Sequence, residues 1–184
     1  MIGFDTTKLP KLDINNPDGF TQILDRLKRF FADNKDKLLP VTLAAQNYSQ
    51  KMEQVSSFIE AYTQKTCPYC GTVCCAQKHG LPEFGDVAAF LSLGHTPPYY
   101  DLHLPLSGAC QFMGPRGCTI ERIIRPYRCT WYFCDPLLTQ IEIGPTAHYN
   151  QFIKLVQQLA DARGQMLTLF YEIWTANLTI MDER

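Results

Sequence analysis

Residues 66–75 read TCPYCGTVCC, and the chemistry they offer is that of sulfur. Cys67 and Cys70 are separated by two residues, the spacing that lets two thiolates close on one ion from a tight turn. Pro68 preorganises that turn, and Gly71 accepts a positive φ that aims backbone N–H groups at the sulfurs. Cys74 and Cys75 follow at once, and Cys110, Cys118, Cys129 and Cys134 form a second block. Eight cysteines suit two four-thiolate metal sites, or one iron–sulfur cluster with spare thiols. The expected metal ligands are therefore Cys67, Cys70, Cys74, Cys75, Cys110, Cys118, Cys129 and Cys134. The candidate metals are zinc, mononuclear iron and an iron–sulfur cluster, in one or two sites. Zinc is preferred over the cluster, because the in-line CxxC steps of a bacterial ferredoxin are absent.

Cys74 and Cys75 constrain this reading. Adjacent side chains diverge, by about 100° in a helix and toward opposite faces in a strand. Two neighbours on one tetrahedral ion are therefore disfavoured. Either each serves a different metal, or one binds while the other packs, bridges or reacts. A competing chemistry is thiol–disulfide exchange, since Thr66-Cys67-Pro68-Tyr69-Cys70 is also the active-site sequence of a glutaredoxin. That chemistry needs a strand feeding the CxxC, so that the first thiolate sits at a helix N-terminus. Here IEAYTQKT, the end of a long helical pattern, precedes Cys67, and no βαβ alternation follows. Structural disulfides are the remaining alternative. They are disfavoured because a chain of 184 residues can bury a core without staples and shows no basic-then-apolar leader, which points to a reducing cytoplasm.

The pattern CPYCGTVCC, then GACQFMGPRGCTIERIIRPYRC, then TWYFC resembles the YkgJ-type cysteine-cluster family, a zinc- or iron-chelating domain with a CxxCxxCC signature. Cys67, Cys70, Cys74 and Cys75 match the first block of that family. Cys110 and Cys118 match its middle, Arg125-Pro126-Tyr127-Arg128-Cys129 its Arg-Pro-x-x-Cys element, and Phe133-Cys134 its close. Three residues separate Cys70 from Cys74, where the compact signature has two, which bears on Cys74 as a ligand. The resemblance covers residues 67–135. It implies metal chelation, sometimes with an iron–sulfur or oxidoreductase label, and no substrate.

Other groups around the thiols refine the expectation. Residues 104–134 hold Arg116, Arg122, Arg125 and Arg128 against Glu121, a local excess of +3. Arginines there offset the negative charge of a thiolate–metal site, or offer a basic face to an acidic partner. His79, His95, His103 and His148 are possible substitute ligands, though a lone histidine is more often an ordinary residue. An enzyme reading would draw acid–base groups from Tyr99, Tyr100, Asp101, His103 and Asp135, which follow no catalytic motif. A partner-binding or metal-delivery reading would use Tyr99, Tyr100, Trp131, Tyr132 and Phe133 as an aromatic contact surface, unless they shield the metal instead. Three functions follow: a metal-binding cysteine-cluster protein, a metal- or Fe–S-dependent oxidoreductase, and a partner-binding or metal-delivery protein. The net charge of −1 gives no reason to expect nucleic acid or an anionic membrane.

Helical patterns must position the thiols. In residues 19–39, Phe20, Ile23, Leu24, Leu27, Phe30 and Phe31 recur at helical spacing, with Asp18 as expected N-cap and Pro40 as the stop. In residues 41–65, Ala44, Tyr48, Met52, Val55, Ile59 and Tyr62 share a face. A short helix is expected over residues 86–93, then an irregular, proline-rich stretch. The last helical run, residues 146–178, should bury Tyr149, Ile153, Val156, Leu159, Leu167, Phe170, Ile173 and Trp174, with Gly164 as a bend or break. Residues 164–181 approach membrane-spanning length, but Gln165, Glu172 and Asn177 make a buried helix the better reading. The expected fold is mainly α. A small helical bundle forms a single domain over residues 1–184, with N-terminal helices in 1–66 and a C-terminal helical region in 146–181. The irregular cysteine-rich segment, 67–135, packs against it.

Overall fold

The computed structural model describes residues 4–69, 75, 80–105, 108–115, 117–131 and 133–182. Cys70, Cys74, His79, Arg116 and Tyr132 lie outside these, so the expectations for them lie outside the description too. The fold is mainly helical, with helices over 67% of the chain. The described helices are α1 (Pro17–Asp33), α2 (Leu39–Thr66), α3 (Phe84–Ser92), α4 (Arg128–Trp131), α5 (Asp135–Glu142) and α6 (Thr146–Asp182). A two-residue antiparallel hairpin, β1 (Met113–Gly114) with β2 (Gly117–Cys118), pairs Met113 with Cys118 and Gly114 with Gly117.

The cap of α1 is Asn16, not Asp18. Its Oδ1 accepts the Gly19 N–H at 3.0 Å, and Pro17 takes the first helical position, where no N–H is needed. Asp18 instead lies in the first turn, facing the positive end of the helix. Pro40 likewise does not stop the first helix. That helix ends at Asp33, and Pro40 sits in the opening turn of α2, a place that tolerates a missing donor.

Helix α2 lies along α6. It buries Val41, Ala45, Tyr48, Met52, Val55 and Ile59, which recur every three to four residues. From α6 come Phe152, Leu159, Ala162, Met166, Leu167, Phe170 and Trp174. Ile153, expected inside, is exposed, because the buried face passes through Phe152, one position earlier. Gly164 does not break α6. A Cβ there would meet the Phe4 backbone nitrogen at 3.5 Å, an ordinary contact with the N-terminal segment. Aromatic rings knit α1 and α3 to α6: Phe31 stacks on Phe170 with centroids 5.6 Å apart, and Phe30 meets Trp174 edge-on at 4.8 Å. Helix α3 is buried almost all round, so it forms the centre of the assembly. Among the described residues no helix is long and apolar enough to cross a membrane.

Candidate metal centre

The described cysteines ride on several different pieces of structure. Cys67 follows directly on α2: its N–H still donates to Thr63 O, so the longest N-terminal helix carries the first thiol. Cys75 is tied to the second block, because its carbonyl accepts the Cys110 N–H at 2.6 Å. Cys118 ends β2, and the hairpin holds it opposite Met113. Cys129 sits in α4, where its N–H donates to Pro126 O at 2.8 Å. Cys134 precedes α5 as its N-cap, and its carbonyl accepts from Leu137 and Leu138 at 3.0 Å each.

Gly80 is the point at which two of these pieces meet. Its N–H donates to the Cys110 sulfur at 3.4 Å. A Cβ on Gly80 would lie 3.2 Å from Cys110 Sγ, which would have to give way, and 3.9 Å from Cys129 Sγ, in ordinary contact. The thiols also feel one another electrically. Burial, then the Cys110, Cys118 and Cys67 thiolates, raise the Cys75 thiol above its ordinary value, with Arg125 pulling the other way. Burial of the sulfur, then Cys110, Cys118, Cys75 and Asp86, push Cys129 up to about 12, although the residue as a whole is exposed. Cys110 and Cys118 thus act on both Cys75 and Cys129, and Cys67 acts on Cys75.

Cys75, Cys110, Cys118, Cys129 and Cys134 are free thiols. Among the described residues, no three His, Cys, Asp or Glu side chains are drawn to metal-ligand spacing. Of the expected histidine substitutes that are described, none joins such a group. The His95 backbone N–H donates to Phe90 O at 2.9 Å, and His103 and His148 are exposed. Of the expected arginines, Arg122 pairs with Glu60 at 3.4 Å, and Arg125 Nε donates to Ile120 O at 2.9 Å. The aromatic set divides: Tyr100 is buried and Phe133 packs on the core, while Tyr99 and Trp131 are exposed. A cavity of about 340 Å³ opens elsewhere, between Ile14, Pro17, Leu102 and Leu104, and no cysteine lines it.

Beneath Cys129 lies a buried polar network. Asp86 Oδ1 accepts from Arg163 Nη2 at 2.9 Å and from the Tyr127 N–H at 3.2 Å, and Oδ2 accepts the Glu83 N–H at 2.9 Å. The guanidinium also lies 4.5 Å from the centre of the Tyr127 ring. Burial would pull Arg163 down, but Asp86, Tyr48 and Glu83 hold it above its ordinary value. The network fixes the Arg-Pro-Tyr-Arg-Cys turn to α3 and α6, two residues before Cys129. Sequence reasoning missed it. The available signal was an arginine on the apolar stripe of α6, four residues after Leu159 and seven before Phe170. No family model, curated protein or solved structure matches this chain.

Proposed function

We propose that this protein is a metal-binding cysteine-cluster protein that chelates zinc or iron through its two blocks of thiols. The observation that carries the reading is the meeting of Cys110 and Cys129 at Gly80, with Cys75 bonded to Cys110 through the backbone, from chain positions far apart. Burial and mutual repulsion disfavour several thiolates in one such neighbourhood. A divalent cation reverses that penalty, because it deprotonates coordinating thiols and pairs with their charge. The donors on hand are soft sulfurs, which suit zinc, iron and iron–sulfur centres. Cys75, Cys110, Cys118 and Cys129, with Cys67, are the residues that would hold it, together with Cys70, Cys74 and Cys134. The likeness of the cysteine pattern to YkgJ-type clusters points the same way. Bound metal would tie α2, the hairpin and α4 together.

Anaerobic purification under reducing conditions, with metal analysis and an absorbance spectrum, tests this. Stoichiometric zinc in colourless protein, or iron with a charge-transfer spectrum, supports the reading. Metal-free protein that takes up neither ion on titration sinks it. A second reading, delivery of the metal to a partner, draws on the exposure of Cys129, Trp131 and Tyr69. It requires rapid metal transfer to a competing chelator, whereas a closed structural site would release metal slowly.

A further inference from the structure

Cys75 and Cys110 lie far apart in the chain, yet a backbone bond joins them: the Cys110 N–H donates to the Cys75 carbonyl at 2.6 Å. With standard backbone bond lengths, that bond holds the two Cα atoms no more than roughly 6.5 Å apart. Bridged cysteines span about 4.4–6.8 Å between Cα atoms, so this pair stands within the reach of a disulfide. Both residues are half-buried free thiols, open to a small oxidant. The Gly80 N–H holds the Cys110 sulfur at 3.4 Å. Burial, then the charge of Cys110, disfavours a thiolate at Cys75, and a disulfide removes that penalty because it carries no charge. Cys129 is the rival partner, since its sulfur lies 3.9 Å from the Gly80 Cβ position that Cys110 Sγ approaches at 3.2 Å. Its backbone N–H donates to Pro126 O, whereas Cys75 is tied to Cys110 directly.

We infer that Cys75 and Cys110 are a redox pair, which a small disulfide of the oxidised-glutathione class converts to a Cys75–Cys110 bridge. One sulfur attacks the small disulfide, expels one thiol and forms a mixed disulfide. The other sulfur then displaces the second thiol. Two protein thiols lose two electrons and two protons, and one small disulfide becomes two thiols. The bridge withdraws two of the proposed ligands, because a disulfide sulfur has no thiolate to offer a metal. Oxidation thereby lowers metal occupancy, and reduction restores it. The bridge itself needs no metal; its effect on occupancy rests on the metal-binding reading.

The test begins with reduced, chelator-treated full-length protein, exposed to oxidised glutathione, alkylated and digested with trypsin. Cys110 is the only cysteine in tryptic peptide 79–116, and Cys75 shares peptide 66–78 with Cys67, Cys70 and Cys74. Mass spectrometry should find these two peptides linked, with two thiols lost to alkylation, and fragmentation should place the bridge at Cys75. The link should persist in Cys74→Ser and disappear in Cys75→Ser. Zinc uptake by the oxidised parent should fall and return on treatment with dithiothreitol. Thiols that all remain alkylatable, or Cys110 linked to the Cys129 peptide instead, would overturn the pair and leave the metal reading intact. So would a link of unchanged yield in Cys75→Ser. Full zinc uptake by bridged protein would overturn the effect on occupancy. Reduced parent protein that takes up no metal would overturn the metal reading and that effect, while the linked peptides would still establish the pair.

Discussion

Replacing Asp86 by alanine should be among the most damaging single changes in this chain. Asp86 is 3% exposed and Arg163 is 6% exposed, so water can solvate neither charge if its partner is lost. The substitution removes the guanidinium's close counter-ion, leaving only the exposed Glu83 carboxylate at 3.8 Å, and frees the N–H groups of Tyr127 and Glu83. Breaking a buried pair from one side costs about 3–5 kcal/mol. That is a large part of the roughly 5–15 kcal/mol that holds a typical domain together, and corresponds to a fall in Tm of about 10 °C for a chain of this size. Arg163→Met should lie near the lower end of that range, because Asp86 keeps its two backbone donors. The double variant should lose less than the two single losses combined, by roughly 1–3 kcal/mol, because the second substitution removes the orphan created by the first. Urea unfolding in reductant and chelator measures all four proteins without a contribution from bound metal. Strictly additive losses, or an Asp86→Ala cost below about 1 kcal/mol, would show that the pair does not act as argued.

Gly80→Ala would place a methyl group 3.2 Å from Cys110 Sγ and push the sulfur aside. We expect a loss of about 1–3 kcal/mol and weaker zinc uptake, measured by unfolding and by chelator competition. The Cys129 thiol, pushed up to about 12, binds its proton more tightly in the folded chain than in the unfolded one. Metal-free protein should therefore lose stability as pH rises from the ordinary thiol value toward 12, a loss read by denaturant melts across that range, and bound metal should flatten it. Residues 1–66 alone should not unfold cooperatively, because the buried stripe of α2 is covered largely by α6; calorimetry of that fragment would test it.

The helices were legible because their information is local. Tyr48, Met52, Val55 and Ile59 recur at a spacing that only a helix turns into one face, and α2 buries all four. Helix ends were read less well where two signals competed. Asp18 and Pro40 each had a sound local reading, but Pro17 fits the first helical position and Pro40 opens the next helix. The candidate ligands were visible as residue types, since clustered cysteines in a chain that can fold without disulfides call for an explanation.

Which thiols meet, and what lies beneath them, required the tertiary fold. No spacing rule brings Gly80 between Cys110 and Cys129, or places Tyr100 inside while adjacent Tyr99 stays in water. Asp86 and Arg163 are 77 positions apart in the chain, and each reads locally as an ordinary helical residue. The sequence by itself determined the period of each helix and the identity of the candidate sulfur donors, because both are properties of a short stretch of chain. The pairing of distant charges and the convergence of the thiols depend on how whole helices cross. That geometry is set by the summed packing of α2, α3 and α6, which no single stretch encodes.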